Sequence, residues 1–570
     1  MNLLEQLRDR LVAGDPGLTR LMMALRATAG VGLSLVILLW MARVYHLPLT
    51  VPLLGAAIGM TWSLGVTDRA PAEQRATTLL LWFPAAAALA LGTVTAGNRV
   101  LADVTFLAVL FLAVYVRTFG PRGYASGMVG VITFFFALFL RATSGQLPWL
   151  AAALAVTAVC TYVLRFFILP DRPSRALGNA AEAFQARRRL IARTIADAAR
   201  RGSWTPRTRT QLQHHVFRLN ESALAIDDIL REIDAPEERA AVIDAELQTE
   251  EAAQQALRDP QARVELPPFH LSIHRVRTAD WTPRGAFRVG TQVDTGFFSP
   301  SLRQAIQLTA AAAASIIAGE LLSPQRWYWA VLAAFVIFSG TSSSGETLKK
   351  AWSRFLGTAL GVAAGIVVGT LVHGDKTAAF ILLFVCLFAA VYFVRVSYAV
   401  MIFFITALLS LLYVLLGLFS DSLLILRLVE TGIGAAFGGL AARFLLPIRT
   451  GDVVESVAIE ALQRLKDVVH LSVQKITGDD TDADPVTAAR TYDEAVQSVR
   501  TQIEPIIRLR RAGTEELERR LLLFAACGYY GRTLARIASN GTHDRDRAVA
   551  TLERIARTSH RLGESLAARS

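Results

Sequence analysis

Long apolar runs dominate the chain and fall into two groups. The first block has runs near 27–44, 50–66, 77–95, 101–116, 124–140 and 149–169. The second has runs near 303–321, 328–341, 355–372, 377–394, 398–419 and 423–446. Most have the roughly 17–22 residues that carry a helix across a hydrocarbon core. In lipid, only a helix or a closed barrel satisfies its own backbone hydrogen bonds. The pattern predicts an all-α polytopic membrane protein: two tandem six-helix transmembrane repeats, 27–170 and 301–447, each followed by a helical cytoplasmic region. The run at 328–341 is short and ends in Gly340-Thr341-Ser342-Ser343-Ser344-Gly345, which predicts a broken or partly re-entrant helix.

The polar stretches read as helices too. Residues 174–200 and 207–258 carry apolar positions at helical spacing, as in Leu212, Val216, Leu219, Ala223 and Ile226. Pro260 to Pro300, with Pro267-Pro268 and Pro283, reads as a linker. Amphipathic helices are expected over 452–478, 486–511, 514–539 and 544–568. The layout is therefore a cytoplasmic N-terminal segment (1–26), a first repeat (27–170), a helical region with linker (171–300), a second repeat (301–447) and a C-terminal helical domain (448–570).

The blocks repeat one another in the same orientation, since an even number of runs precedes the second. Leu21 to Thr28 matches Leu302 to Thr309 in spacing. The polar break Thr61-Trp62-Ser63-Leu64-Gly65 corresponds to Ser339–Gly345, and the segment from Gly123 resembles that from Ser397. Phe167-Ile168-Leu169-Pro170 is echoed by Phe444-Leu445-Leu446-Pro447. Such repeats frame a pathway at their interface near the bilayer midplane.

Composition agrees. The 570 residues are 53% hydrophobic with mean hydropathy +0.40, too apolar for a soluble chain of this size. The net charge of +12 is explained by Lys and Arg at helix ends near anionic lipid, not by nucleic acid, because no aromatic-interleaved basic groove is present. With the N-terminus inside, Arg69, Arg75, Arg117, Arg122, Lys349, Lys350, Arg354 and Arg395 fall on inner loops, which predicts both termini in the cytoplasm. Residues 1–20 are charged and read as no cleavable signal. Cys160, Cys386 and Cys527 are far apart and suggest neither a disulfide framework nor a metal site. The Asp-rich loop from Gly478 lacks the spacing of a calcium loop. No cofactor is predicted, and no nucleophile–base constellation suggests an enzyme. No phosphate-binding loop suggests ATP-driven pumping.

Ionisable side chains within membrane runs are functional candidates by default. Arg427 and Glu430 lie three apart, on one helix face, with Glu430 roughly 13 Å along the last run. Arg427 is the candidate anion-binding side chain and Glu430 the candidate proton-coupling group; a self-neutralising structural pair is the competing reading. The break with Ser339, Thr341, Ser342, Ser343, Ser344 and Glu346 is the second candidate, since its amides and hydroxyls suit a carboxylate. An ordinary capped loop is the plain alternative. Lys349, Lys350 and Arg354 read as positive-inside anchors with a possible vestibule role. Thr133 and Thr406 occupy equivalent places in the repeated helices. His46 and His373 fall at the outer interface, and Trp327 and Trp329 read as interfacial belt residues.

The segment Trp329-Ala330-Val331-Leu332, Ser339-Gly340 and Lys349 through Arg354-Phe355-Leu356-Gly357-Thr358-Ala359-Leu360-Gly361 with Gly365 resembles the signature of the fusaric-acid-resistance family of integral membrane transporters, which includes bacterial aromatic-acid exporters. Tyr398 to Thr406, and Arg427 with Glu430-Thr431, Gly434 and Pro447, also resemble its pattern. The likeness implies export of organic anions, often aromatic carboxylic acids, across a bacterial inner membrane by proton antiport. Arg354, Gly357, Thr358, Gly361, Arg427 and Glu430 match its motif positions. In the first block Arg75 is followed by Ala76-Thr77-Thr78, a departure from the motif.

The expected partners are the lipid bilayer and a small organic anion, and the long amphipathic helices with the resemblance point to a homodimer. Arg427 with Ser339, Thr341, Ser342 and Thr406 would contact substrate. Two rival readings stay open: a passive organic-anion channel of the same fold, and an envelope-assembly scaffold.

Overall fold

The computed structural model describes residues 18–66, 68, 71–170, 173–232, 235–261, 266–267, 269, 271, 299–322, 327–372, 375–417, 419–448, 450–478, 484–508, 514–540 and 544–567, and among them there is no strand. Most of the expected linker, most of the acidic loop after Gly478, His373 and residues 1–17 lie outside the described residues. The chain divides into two compact units: a polar unit of Met1–Thr19, Arg172–Arg284 and Thr450–Ser570, and a membrane unit of Arg20–Asp171 and Gly285–Arg449.

In the membrane unit the first block comprises α1 (Thr19–Val44), α2 (Thr50–Gly65), α3 (Pro71–Leu80), α4 (Trp82–Thr95), α5 (Arg99–Tyr115), α6 (Pro121–Phe139) and α7 (Leu147–Val163). Pro84 cannot donate to the turn before it, which accounts for the interruption between α3 and α4 in an otherwise single third span. Three helices of the polar unit come next: α8 (Pro173–Arg201), α9 (Pro206–Glu232) and α10 (Pro236–Arg258). The helical stretch expected over 207–258 comprises two helices, the second beginning at Pro236, where proline disfavours helix in its predecessor and starts a new one.

The second block comprises α11 (Pro300–Leu322), α12 (Tyr328–Phe338), α13 (Ser344–Leu371), α14 (Lys376–Phe393), α15 (Tyr398–Leu415) and α16 (Asp421–Phe444). Among the described residues, ten helical segments are long and apolar enough to cross a membrane; α2 and α12, the second of each block, are shorter. At 11 residues α12 is about 16 Å long, half a hydrocarbon core. It is buried along nearly its whole length, beside the C-terminal half of α16. A Cβ at Gly434 would sit 2.2 Å from the Ala330 carbonyl oxygen, so only glycine permits this approach. Conversely α13 starts eleven residues before the apolar run seen in the sequence, because Glu346, Lys349, Lys350 and Arg354 in its first turns mask the helix from hydropathy.

The repeat is visible in the bonding. On α1, Arg26 Nε donates to the Leu169 carbonyl at 2.8 Å. At the matching place on α11, Gln307 Nε2 donates to the Leu445 and Leu446 carbonyls at 2.7 and 3.0 Å. In both blocks a side chain of the first span thus ties down the carbonyls just before the closing proline. The blocks also exchange first spans: α11 packs on α5, while Ala24, Ala27 and Val31 of α1 pack on Leu387 and Val391 of α14.

The polar unit adds α17 (Thr450–Thr477), α18 (Pro485–Arg508), α19 (Thr514–Ser539) and α20 (Arg545–Ala567). An apolar core containing Leu465, Val499, Phe524 and Leu534 is accompanied by a buried charge cluster. Arg490 bonds Glu246 at 2.7 Å and Asp493 at 3.3 Å. Arg532 holds both oxygens of Glu250 at 2.8 and 2.7 Å and also bonds Asp493. Three carboxylates from α10 and α18 therefore surround two guanidinium groups from α18 and α19. Arg188 of α8 bonds the neighbouring Thr249 at 2.9 Å, and Tyr529 of α19 also faces Glu250.

Burial pushes the Glu250 carboxyl up to about 7 against the pull of Arg532, with Glu246 and Asp493 adding to the rise. A carboxyl raised in the folded state penalises folding when ionised, and that penalty is relieved as pH falls from above 7 toward the unfolded value. The polar unit should therefore become more stable between pH 8 and pH 6. Hydrogen exchange over α10 in the full chain checks this: protection should rise toward pH 6 in the native protein and rise less in Glu250→Gln.

Candidate functional site

The face of α13 that carries Lys350, Arg354, Thr358 and Gly361 turns toward α15 and α16. Glycines at 357, 361, 365 and 369 recur every fourth residue and let α15 lie almost backbone to backbone. A Cβ at Gly357 would be 2.4 Å from the Ala399 carbonyl oxygen, and one at Gly361 would be 2.7 Å from the Thr406 Cβ. Thr406 is thus a packing partner of the motif glycine Gly361, and Thr358 is buried beside it. Thr133, its counterpart in the first block, bonds its own helix at the Val129 carbonyl, 2.7 Å away.

Deeper along α16, Arg427 is 7% exposed and Glu430 is 1% exposed. The Arg427 guanidinium carbon lies 4.4 Å from the centre of the Trp329 ring, a cation–π stack out of water. Trp329 is therefore a buried floor for the arginine instead of a belt residue, and Trp327 is buried as well. The Tyr413 hydroxyl, Glu430 and Arg354 interact electrostatically with Arg427. Arg427 Nη1 is sealed from solvent with no hydrogen-bond acceptor among the described residues. A buried guanidinium N–H without a partner is costly, about 1–3 kcal/mol or more for a charged group. A transient anionic acceptor would remove that cost.

The break after α12 is ordered by side chains. Gly340 has φ +73°, a backbone conformation suited to glycine, and the carbonyls on either side of it are claimed from outside. Lys350 Nζ donates to the Ser339 carbonyl. Arg117 Nη2 and Gln304 Nε2 donate to the Thr341 carbonyl at 3.1 and 2.8 Å. The hydroxyls of the break are committed locally. Ser343 caps α13, and Glu346 accepts from the Ser342 amide and hydroxyl, one residue before the cap, at 2.8 and 2.9 Å. Thr341 bonds the Phe338 carbonyl and Thr347, while the Ser339 hydroxyl meets Tyr124 at 3.1 Å. Of the expected substrate contacts, Arg427 stands in a separate place from Ser339, Thr341 and Ser342. Arg354 donates from Nη1 to the Tyr398 hydroxyl at 3.3 Å, and its charge acts on both Lys350 and Arg427.

Residues 312–441 match the family model described as fusaric acid resistance protein-like. The matched segment begins within α11 and ends near the end of α16, so it contains Arg354, Gly357, Thr358, Gly361, Arg427 and Glu430. It is the family whose signature the second block resembles in sequence. No curated protein and no solved structure matches the chain. Together, the match and the apolar helices point to a multi-pass, transporter-type membrane protein.

Sequence reasoning missed the part played here by Trp329, Arg117 and Tyr124, and gave Lys350 only a secondary one. Trp329 was hidden by the usual place of tryptophan at interfaces. Arg117 was hidden by the positive-inside rule, which gives every loop cation a ready explanation and also reduced Lys350 to an anchor with a vestibule role; Tyr124 carried no signal in the sequence.

Proposed function

We propose that the chain exports organic acids, aromatic carboxylates foremost, across a bacterial cytoplasmic membrane by exchange for protons, with both termini in the cytoplasm. The observation that carries this reading is Arg427: buried in a membrane helix, stacked on Trp329, with its Nη1 lacking an acceptor among the described residues, and one helical turn from Glu430. An aromatic carboxylate suits such a place because its charge meets the guanidinium while its ring lies among apolar and aromatic side chains. Arg427 then holds the substrate anion and Glu430 carries the proton. The match to a fusaric acid resistance protein-like family supports transport in general.

The test measures proton movement in proteoliposomes containing a pH-sensitive dye, on addition of benzenesulfonate, an aromatic anion that does not leak through lipid in a neutral form. Native protein should move protons opposite to the anion. Glu430→Gln should pass the anion with no proton signal. Anion flux without proton movement in the native protein would replace the antiporter with a passive channel.

A further inference from the structure

A second concentration of positive charge lies at the end of the membrane unit where α13 begins. This is the end that carries Pro447, since the Ser344 amide bonds the Ile448 carbonyl at 3.0 Å. Arg117, in the short turn Val116–Phe119 after α5, comes from the first block. Lys350 and Arg354 stand one turn apart on α13 of the second. The charges of Arg117, Arg354 and Glu346 all act on Lys350, so the four form one cluster. Its sum is unbalanced: three cations face one carboxylate, and Glu346 spends an oxygen on Ser342. The C-terminus of α12 contributes only about half a negative charge.

The unspent donors are specific. Arg354 is 8% exposed, and its Nε–H is buried with no acceptor among the described residues; Arg117 Nη1 is in the same condition. Around them stand Tyr398, whose ring lies 5.0 Å from the Lys350 ammonium, and Tyr124, which bonds Ser339. Buried cations are normally paired or hydrogen-bonded in full. Here a surplus of charge and two unspent guanidinium donors belong to side chains gathered around the Ser339–Thr341 turn and two tyrosines, at a seam built from both blocks.

We propose that Arg117, Lys350 and Arg354 form a second anion site, which receives the carboxylate of an aromatic acid before it reaches Arg427. The proposal rests on the transport reading above and adds a place and a ligand class to it. Arg354 joins the two positions, because its charge acts both on Lys350 and on Arg427. Tyr398 and Tyr124 offer the ring a stacking surface, and the two blocks, by sharing the site, can open or close it as they move against each other.

The test is equilibrium binding of labelled benzoate to the purified full chain in detergent at neutral pH. Native protein should bind two benzoates per chain. Arg117→Gln and Arg354→Gln should each weaken one of the two sites by about tenfold or more, the loss expected for a charged hydrogen bond. Arg117→Gln should leave the other site intact, and Arg354→Gln should shift it far less than its own, its charge also acting on Arg427; the surviving site reports that each variant is folded. Arg427→Gln should remove the other site and spare this one. A native chain with a single benzoate, lost in Arg427→Gln and unchanged in the Arg117 and Arg354 variants, would overturn the second site and leave the transport reading standing. Loss of all binding in every variant would mean one shared site and would likewise overturn it. Absence of binding to the native chain would overturn both readings.

Discussion

Arg427→Gln is expected to reduce aromatic-anion flux by about two orders of magnitude at matched protein incorporation. The estimate follows from what the side chain supplies: a full charge held away from water, where truncating a charged partner costs about 2–5 kcal/mol. Glutamine keeps a donor of similar reach but loses the charge and the stack on Trp329. Arg427→Lys should fall between, since lysine restores the charge without the planar fork that both stacks and bonds. If Arg427 were only a structural partner of Glu430, both variants would lower the amount of folded protein and leave flux per molecule unchanged. Initial rates of benzenesulfonate flux, normalised to folded protein, separate the two cases.

The second large effect belongs to the polar unit. Arg532→Met should destabilise it by about 3–5 kcal/mol, because removing one partner of a buried ion cluster leaves the others uncompensated. Arg532 serves Glu250 through both its oxygens and also bonds Asp493, and all three side chains are buried. Adding Glu250→Gln to Arg532→Met should recover part of the loss, since the double variant buries one fewer naked charge. Thermal unfolding of the single and double variants reads this directly, as non-additivity between neighbouring sites. The cluster joins α10, which precedes the second block, to α18 and α19, which follow it, so the polar unit depends on chain segments separated by that whole block.

Much of the fold was legible in the sequence, for physical reasons that name its limits. Apolar length located most spans within a few residues, because lipid demands that length. The pairing of Leu21–Thr28 with Leu302–Thr309 placed Arg26 opposite Gln307, and both turn out to bond carbonyls at the closing proline. Hydropathy failed where helices carry charge: the first turns of α13 were invisible to it. Pro236 was the available signal for the break between α9 and α10, and periodicity outweighed it.

At the candidate site, Arg427 and Glu430 stood out because charge inside a membrane run is rare. The stack on Trp329 and the gathering of Arg117 with Lys350 and Arg354 depend on contacts between elements far apart in the chain. No spacing within one segment encodes them. The hydroxyls of Ser342 and Thr341 looked available in sequence, but Thr341 donates to the Phe338 carbonyl at the end of α12 and Ser342 to the Glu346 carboxylate, while Ser343 caps α13.

The central claim is proton-driven export of an organic anion, and the sign of accumulation tests it most directly. Proteoliposomes with a pH gradient and a clamped membrane potential would be given labelled terephthalate, which is doubly ionised at neutral pH and leaks little through lipid. An antiporter concentrates the anion on the acidic side, opposite to the trapping of a permeant weak acid, and the effect should vanish in Glu430→Gln. Equal concentrations on both sides, in native protein that nevertheless carries the anion downhill, would contradict the account.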